Sequence, residues 1–595
     1  MGAKVNKVNE MGFIIAKFCI ENFHLKYSFP STTISDYDYD EYAVNFLKFL
    51  TIAYNIDLNV CDEDGHTLSY FAAKYNSLKS LKYLKEQGAD LSISNKDKRT
   101  LIHEAARNGT FEVLRYLVED CKIDVNVSDV DGNFPVHMID ITNSNVTILK
   151  FLKEKGANIS ISNRQKHTLL HEAARNGAFK VLRYLVEDCK MDVNVCDLDG
   201  NLPTHMAVRN IEILMYLKEN KANLGISNNK KHTLVHKAAR FGDLEVLQYL
   251  VGDCKMDVNV SDVKGNLPID MIDMSDYNIA LFKYLIEKGA NLSTSKNQKY
   301  TLIHKAARIG AFKVLQYLVE DCKMDVNVSD VDGNLPVHLA AEFGRVDILM
   351  YLKEKGANLS ISNNKKHTLV HAAAQSGNLE VVQYLVEDCK MDVNVCDIHG
   401  NLPSHWAAFC DKVGILCYFE SIGIDLNQYN NYGQTLVHLA AAGDAVETLN
   451  FLKNECKFSL DFGDNNGYTP SHIAVSYGNL KALKYLKEQG ANLCISNKDK
   501  YTLVHTAAEY GTLDVLVYLV KECKLEVNVS DNNGNLPAHF AAKSNKVEIL
   551  RYLKSVGSDL NQCNHKGETL VNIAAAAGAV DVLNFLKDEC KLSFN

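Results

Sequence analysis

Seven of the eight prolines in this chain stand at positions 135, 203, 268, 336, 403, 470 and 537, at intervals of 68, 65, 68, 67, 67 and 67 residues. Independent globular domains do not set proline on a fixed pitch, and a Pro-rich disordered chain of 595 residues would hold far more than eight. The pitch therefore requires a tandem repeat, in which each unit buries its apolar face only by stacking on its neighbours. With 47% apolar and 23% charged residues, there is ample material for such a core.

Two kinds of unit alternate. One runs from Ser329 to Ile361, SDVDGNLPVHLAAEFGRVDILMYLKEKGANLSI, and the other from Ser362 to Val395, SNNKKHTLVHAAAQSGNLEVVQYLVEDCKMDVNV. Both open on a polar turn followed by a helix start, where proline at the first helical position costs no hydrogen bond. A short helix carries Ala-Ala, small enough for a neighbour to approach, and Gly344 or Gly377 ends it in a left-handed conformation. A second helix shows apolar residues at helical spacing, such as Val381, Val382, Tyr384 and Leu385. Each unit thus reads as helix, turn, helix and loop.

At about 33 residues with TPLHxAA-like starts, the unit resembles the ankyrin repeat. The segment from Asp464 to Gly478, DNNGYTPSHIAVSYG, carries the resemblance best. Turn positions fall at 62, 95, 129, 163, 197, 228, 262, 296, 330, 363, 397, 430, 464, 497, 531 and 564, giving sixteen repeats over residues 62–595. The implied fold is an all-α ankyrin-repeat solenoid, elongated and curved. Residues 41–61 read as an N-terminal capping half-repeat, and residues 1–40 as an extension with a helix and a polar linker. Lys98, Lys166, Lys231, Lys299, Lys366 and Lys500 stand where ankyrin repeats carry the turn glycine. A left-handed lysine costs about 1 kcal/mol, so a different turn is expected in these six loops. The segments from His137 to Val146 and from Asp270 to Ile279 lose both Ala-Ala and the turn glycine.

Catalytic and metal chemistry finds no foothold in the sequence. Thirteen of twenty histidines share one slot at the start of the first helix, where stacking keeps them a repeat apart; the resemblance implies that they hydrogen-bond the turns. HEAAR at His103 and His171 ends on Arg107 and Arg175, which cannot bind zinc. Eight cysteines recur after the second helix, from Cys121 to Cys590, two layers apart and too distant for disulfides. They read as buried structural thiols of a reducing compartment. There is no GxxxxGK, CxxC or GxSxG, and DVDG at Asp129 lacks the further ligands of a calcium loop. No enzyme activity, cofactor or metal is expected. The net charge of −9 argues against nucleic acid. The longest apolar stretch near the start, Met11 to Ile20, is too short to span a membrane and has no small-residue cleavage site. Position 6 is Asn6, where a myristoylation signal wants Ser or Thr.

The resemblance places partners on the turn tips and the concave face of the first helices. Just past Ala-Ala, Arg107, Arg175, Arg240 and Arg308 recur at intervals of 68, 65 and 68 residues, a line suited to an extended acidic protein. The alternative is pairing with acidic turns such as Asp131, Asp199 and Asp332. Tyr75, Phe241, Phe343, Tyr477 and Tyr510 fall at or beside this slot, and Trp406, the only tryptophan, reads as core. The expectation is a monomeric, cytoplasmic scaffold that binds protein partners. The alternative is an ankyrin-type effector or toxin-like protein that acts by binding in a host cytosol.

Overall fold

The computed structural model describes residues 39–54, 56–143, 145–292 and 300–591, with isolated positions 14, 16, 17 and 20 before them. The expected N-terminal helix and linker, and Lys299, lie outside the described residues. Two compact units form: Met1–Asp273 with Ala280–Asn297, here the N-terminal unit, and Met274–Ile279 with Gln298–Asn595, the C-terminal unit. Among the described residues every regular element is helical, and the only extended pairing is an isolated bridge between Cys61 and Thr67.

Helix Tyr39–Tyr54 buries Ala43, Val44, Leu47 and Leu50. It packs on helix Leu78–Glu86, where Lys79 pairs with Glu41 at 2.9 Å. Sixteen helix pairs follow among the described residues, from Leu68–Lys74 with Leu78–Glu86 to Leu570–Ala577 with Val580–Asp588. In each, a β-region residue precedes the short first helix, and in five a left-handed glycine follows it directly. Thr368 is extended at the N-cap, for example, and Gly377 is left-handed at φ 86°. The second helix buries one stripe, Val381, Val382 and Leu385 in this repeat. Ala340, Ala341, Ala407 and Ala408 are fully buried, which lets successive first helices lie close together.

Turns stack on turns. In the proline-type turn Asp129 Oδ1 accepts from the Asp131 and Asn133 backbone N–H groups, and Val130 N–H donates to Asp97 O of the preceding turn at 2.8 Å. The lysine-type turn was expected to differ and does not. Lys98, Lys166, Lys231, Lys366 and Lys500 all adopt left-handed φ of 56–59°, and Lys98 N–H donates to Asn95 O just as Gly132 N–H donates to Asp129 O. Glycine persists in the other type for a second reason. A Cβ on Gly333 would lie 2.5 Å from Asn364 Oδ1, and one on Gly132 would lie 2.9 Å from Arg164 Cγ. There the next turn leans on the glycine, so both φ and space demand it.

Left-handed lysine recurs at a second place that the sequence did not announce. The loop after the second helix is one residue longer in the threonine-type repeats. The extra residue is absorbed by widening the last turn: Cys121 N–H reaches Tyr116 O and Ile123 N–H reaches Leu117 O, with Lys122 at φ 55°. In two repeats the widening makes a π-helix, Gln248–Asp253 and Tyr384–Asp388. The recurring cysteines sit on this turn and are half-buried rather than buried, a correction to the expectation; Cys196 and Cys396 are exposed. All described cysteines are free.

The two irregular segments end their first helices after one turn, Pro135–Met138 and Pro268–Met271, and continue as extended chain. Ile139 and Ile141, and Ile272 and Met274, plug the space left by Ala-Ala. A third helix is equally short, Pro203–Met206. Its repeat is two residues shorter than most of the proline type, with turns at 197 and 228, and it has no glycine between its two helices.

Candidate protein-binding surface

The slot histidines fix the first helices. Thr368 N–H donates to His371 Nδ1 at 3.2 Å, and His371 Nε2–H donates to Asn401 O of the next turn at 3.1 Å. That pair of bonds requires the neutral ring, with its proton on Nε2. Burial pushes all thirteen slot histidines below their ordinary range, His171, His205, His338, His371, His405 and His472 down to about 4. In the proline-type repeats the Nε2 atoms of His205, His338, His405 and His539 have no such protein partner. These histidines hold structure, as the geometry of a cap requires.

With the first helices fixed, the two positions after Ala-Ala project outward. Arg107, Arg175, Arg240 and Arg308 are all exposed. They do not pair with the acidic turns. Arg107 lies 3.8 Å from Glu104 and Arg175 3.1 Å from Glu172, each within its own helix. Arg240 has no ion pair to a described residue, and Arg308 lies over the Phe343 ring at 5.2 Å. The same slot also holds Lys74, after a regular Ala72-Ala73, and Arg209, after Ala207-Val208. The N-terminal unit thus presents Lys74, Arg107, Arg175, Arg209 and Arg240 on one row. Beside it the shortened helix Pro135–Met138 leaves a polar cavity of about 340 Å³, lined by Asn133, His137, His167, Glu172 and Arg175 among others.

The C-terminal unit carries Arg308, Glu342, Gln375, Phe409, Ala442, Ser476, Glu509, Lys543 and Ala576 in that slot, so cations stand there at two of nine positions. Of the predicted aromatics, Tyr75 is half-buried with Lys74 at 5.1 Å, and Phe241 is exposed beneath Arg209 at 5.4 Å. Phe343, Tyr477 and Tyr510 are exposed. Tyr477 and Tyr510 come together with Tyr468, His472, Ile473, Ser476 and Thr506 around a cavity of about 400 Å³. Trp406 is half-buried, its Nε1–H donating to Asp397 Oδ2 at 3.0 Å and its ring on His367. Asp62, Asp64 and His66 approach one another within 4.8 Å, but Asp62 is committed to its own turn and to Lys17 at 3.2 Å. No helix among the described residues is long and apolar enough to cross a membrane.

The sequence model described as Ankyrin repeats (3 copies) matches residues 39–129, 121–197, 189–262, 271–363, 356–430, 412–497 and 504–595. The chain belongs to the ankyrin repeat family. It is 25% identical over 412 residues to human transient receptor potential cation channel subfamily A member 1, covering 66% of this chain and 37% of that protein. It is similar to an ankyrin repeat protein of Acanthamoeba polyphaga mimivirus, 22% identical over 367 residues, 58% of this chain and 45% of the relative. Alpha-latroinsectotoxin-Lt1a of Latrodectus tredecimguttatus is 26% identical over 323 residues, 51% of this chain and 22% of the toxin. The chain therefore spans less than half the length of these relatives. Ankyrin repeats are in general modules for protein–protein interaction, and their family is in general non-catalytic.

Proposed function

We propose that this chain is a non-catalytic scaffold that binds a protein partner along the exposed face of its first helices, with an acidic extended segment on the basic row. The observation that carries the reading is the recurrence of Lys74, Arg107, Arg175, Arg209 and Arg240 in one slot of the N-terminal unit, exposed or half-buried and outside the acidic turns. Structure alone does not demand a cation there, because the same slot in the C-terminal unit tolerates Glu342, Phe409 and Ala442. Arginines at fixed intervals offer forked donors to successive carboxylates.

Fluorescence anisotropy with a labelled oligoglutamate peptide tests this reading. The native chain should bind it with an affinity that falls as salt rises, and an Arg107, Arg175 and Arg240 to Ala variant with an unchanged melting temperature should bind it about ten-fold more weakly. Equal binding by the two would remove the basic row from the function.

A further inference from the structure

On this face of the first helices, aromatic side chains are covered by cations of the same chain. The cation at Phe241 is Arg209 and the cation at Phe343 is Arg308, each from the slot of the preceding repeat, at 5.4 and 5.2 Å from the ring centroids. Tyr477 and Tyr510 occupy the same position as Phe241 and Phe343 in their own repeats. The preceding slots hold Ala442 and Ser476 instead of arginine. No cation lies over the Tyr468, Tyr477 or Tyr510 ring among the described residues, and Tyr477 and Tyr510 are 65% and 58% exposed. The space that an internal arginine fills elsewhere is here an open hollow of about 400 Å³.

A carboxylate stands beside the hollow. Glu509 stands against the Tyr510 hydroxyl, and its carboxylate accepts from the Tyr501 hydroxyl and from Lys543 at 3.2 Å. Burial, with Glu509, Asp499 and Asp464 nearby, pushes the Tyr468 phenol above its ordinary value. Aromatic faces, a carboxylate and small side chains in place of the usual arginine select for a cation and against an acidic or purely apolar group.

We propose that the hollow between Tyr477 and Tyr510 receives a basic side chain, by preference an arginine, from an extended segment of a protein partner. This rests on the scaffold reading above and supplies the chemistry of one of its contacts. Arginine is preferred over lysine because a planar guanidinium stacks on a tyrosine face while its N–H groups reach a carboxylate.

The test uses the full chain and ligand-observed saturation-transfer NMR on the peptide acetyl-Gly-Ser-Gly-Arg-Gly-Ser-Gly-amide, with its citrulline counterpart as the isosteric neutral control. The arginine methylenes should take up saturation about five-fold more than those of citrulline. The difference should vanish in Tyr477→Ser/Tyr510→Ser and persist in Phe343→Ser. Ser476→Arg, which restores the cation of the preceding slot, should block the peptide while the melting temperature stays unchanged. Equal saturation by both peptides, or a folded Tyr477→Ser/Tyr510→Ser variant that keeps the preference, overturns the proposal. The same samples are titrated with oligoglutamate. Retained oligoglutamate binding alongside a failed arginine preference overturns the hollow alone, whereas loss of oligoglutamate binding by the native chain strikes the scaffold reading itself.

Discussion

The two units of this protein share one frame and differ in what they display on it. In the N-terminal unit three first helices stop after a single turn, at Met138, Met206 and Met271, and the slot after Ala-Ala is basic. In the C-terminal unit every first helix has seven or eight residues, and beyond Arg308 the slot is basic only at Lys543, which pairs with Glu509 of the preceding slot at 3.2 Å. One exposed position of the repeat therefore varies freely in charge while the slot histidine holds in thirteen of sixteen repeats. The difference teaches that the frame is set by buried residues, and that the exposed slot is available for recognition.

The largest expected effect comes from acid, because it attacks the frame. Each slot histidine is held neutral below its ordinary value, so the unfolded chain binds protons first as pH falls. Stability is complete above about pH 6.5 and is lost progressively towards pH 4. The N-terminal unit has five such histidines and the C-terminal unit eight. Trp406, the only tryptophan, reports on the C-terminal unit alone. Its emission should change at a higher pH than the midpoint of the helical circular dichroism signal. Coincident transitions would mean that the histidine rows do not set the order of unfolding.

Next in size are single histidines. His371→Ala removes bonds at both ring nitrogens and should cost about 2–3 kcal/mol in urea unfolding. His338→Ala should cost about 1 kcal/mol less, since its Nε2 has no protein partner to lose. Equal costs would show that the latch to the next turn adds nothing.

The face should respond in the opposite way. Replacing Arg107, Arg175 and Arg240 with alanine should leave the acid transition unchanged, since exposed pairs such as Arg175 with Glu172 contribute little to stability. A large loss of stability in that variant would place the arginines in the frame and erase the distinction between the units.

The two kinds of turn should respond unequally. Lys366→Gly relieves a left-handed lysine but loosens the unfolded chain, so thermal denaturation should shift by less than about 1 kcal/mol. Gly333→Lys should cost about 3 kcal/mol, because its Cβ meets Asn364 as well as an unfavourable φ.

The helix pairs, the histidine slot and the exposed arginines were legible in the sequence because each repeats at a fixed pitch. The lysine turns were misread because φ alone was weighed. Asn95 sets the turn through its own side chain, accepting from the Asp97 and Arg99 N–H groups, so the loop closes in the same way with either residue. The left-handed Lys122 and its equivalents carried no glycine to mark them. Lys74 and Arg209 escaped because the row was sought in threonine-type repeats only. The hollow at Tyr477 was illegible for a different reason: it arises from what Ala442 and Ser476 lack, and a missing arginine leaves no motif.

The measurement that tests the central claim most directly is affinity capture from a eukaryotic lysate with mass spectrometry, comparing the native chain with an Arg107, Arg175, Arg240 and Arg308 to Ala variant of equal melting temperature. A partner retained by the native chain and lost by the variant is the result this account predicts. Identical recovery by both chains would contradict it.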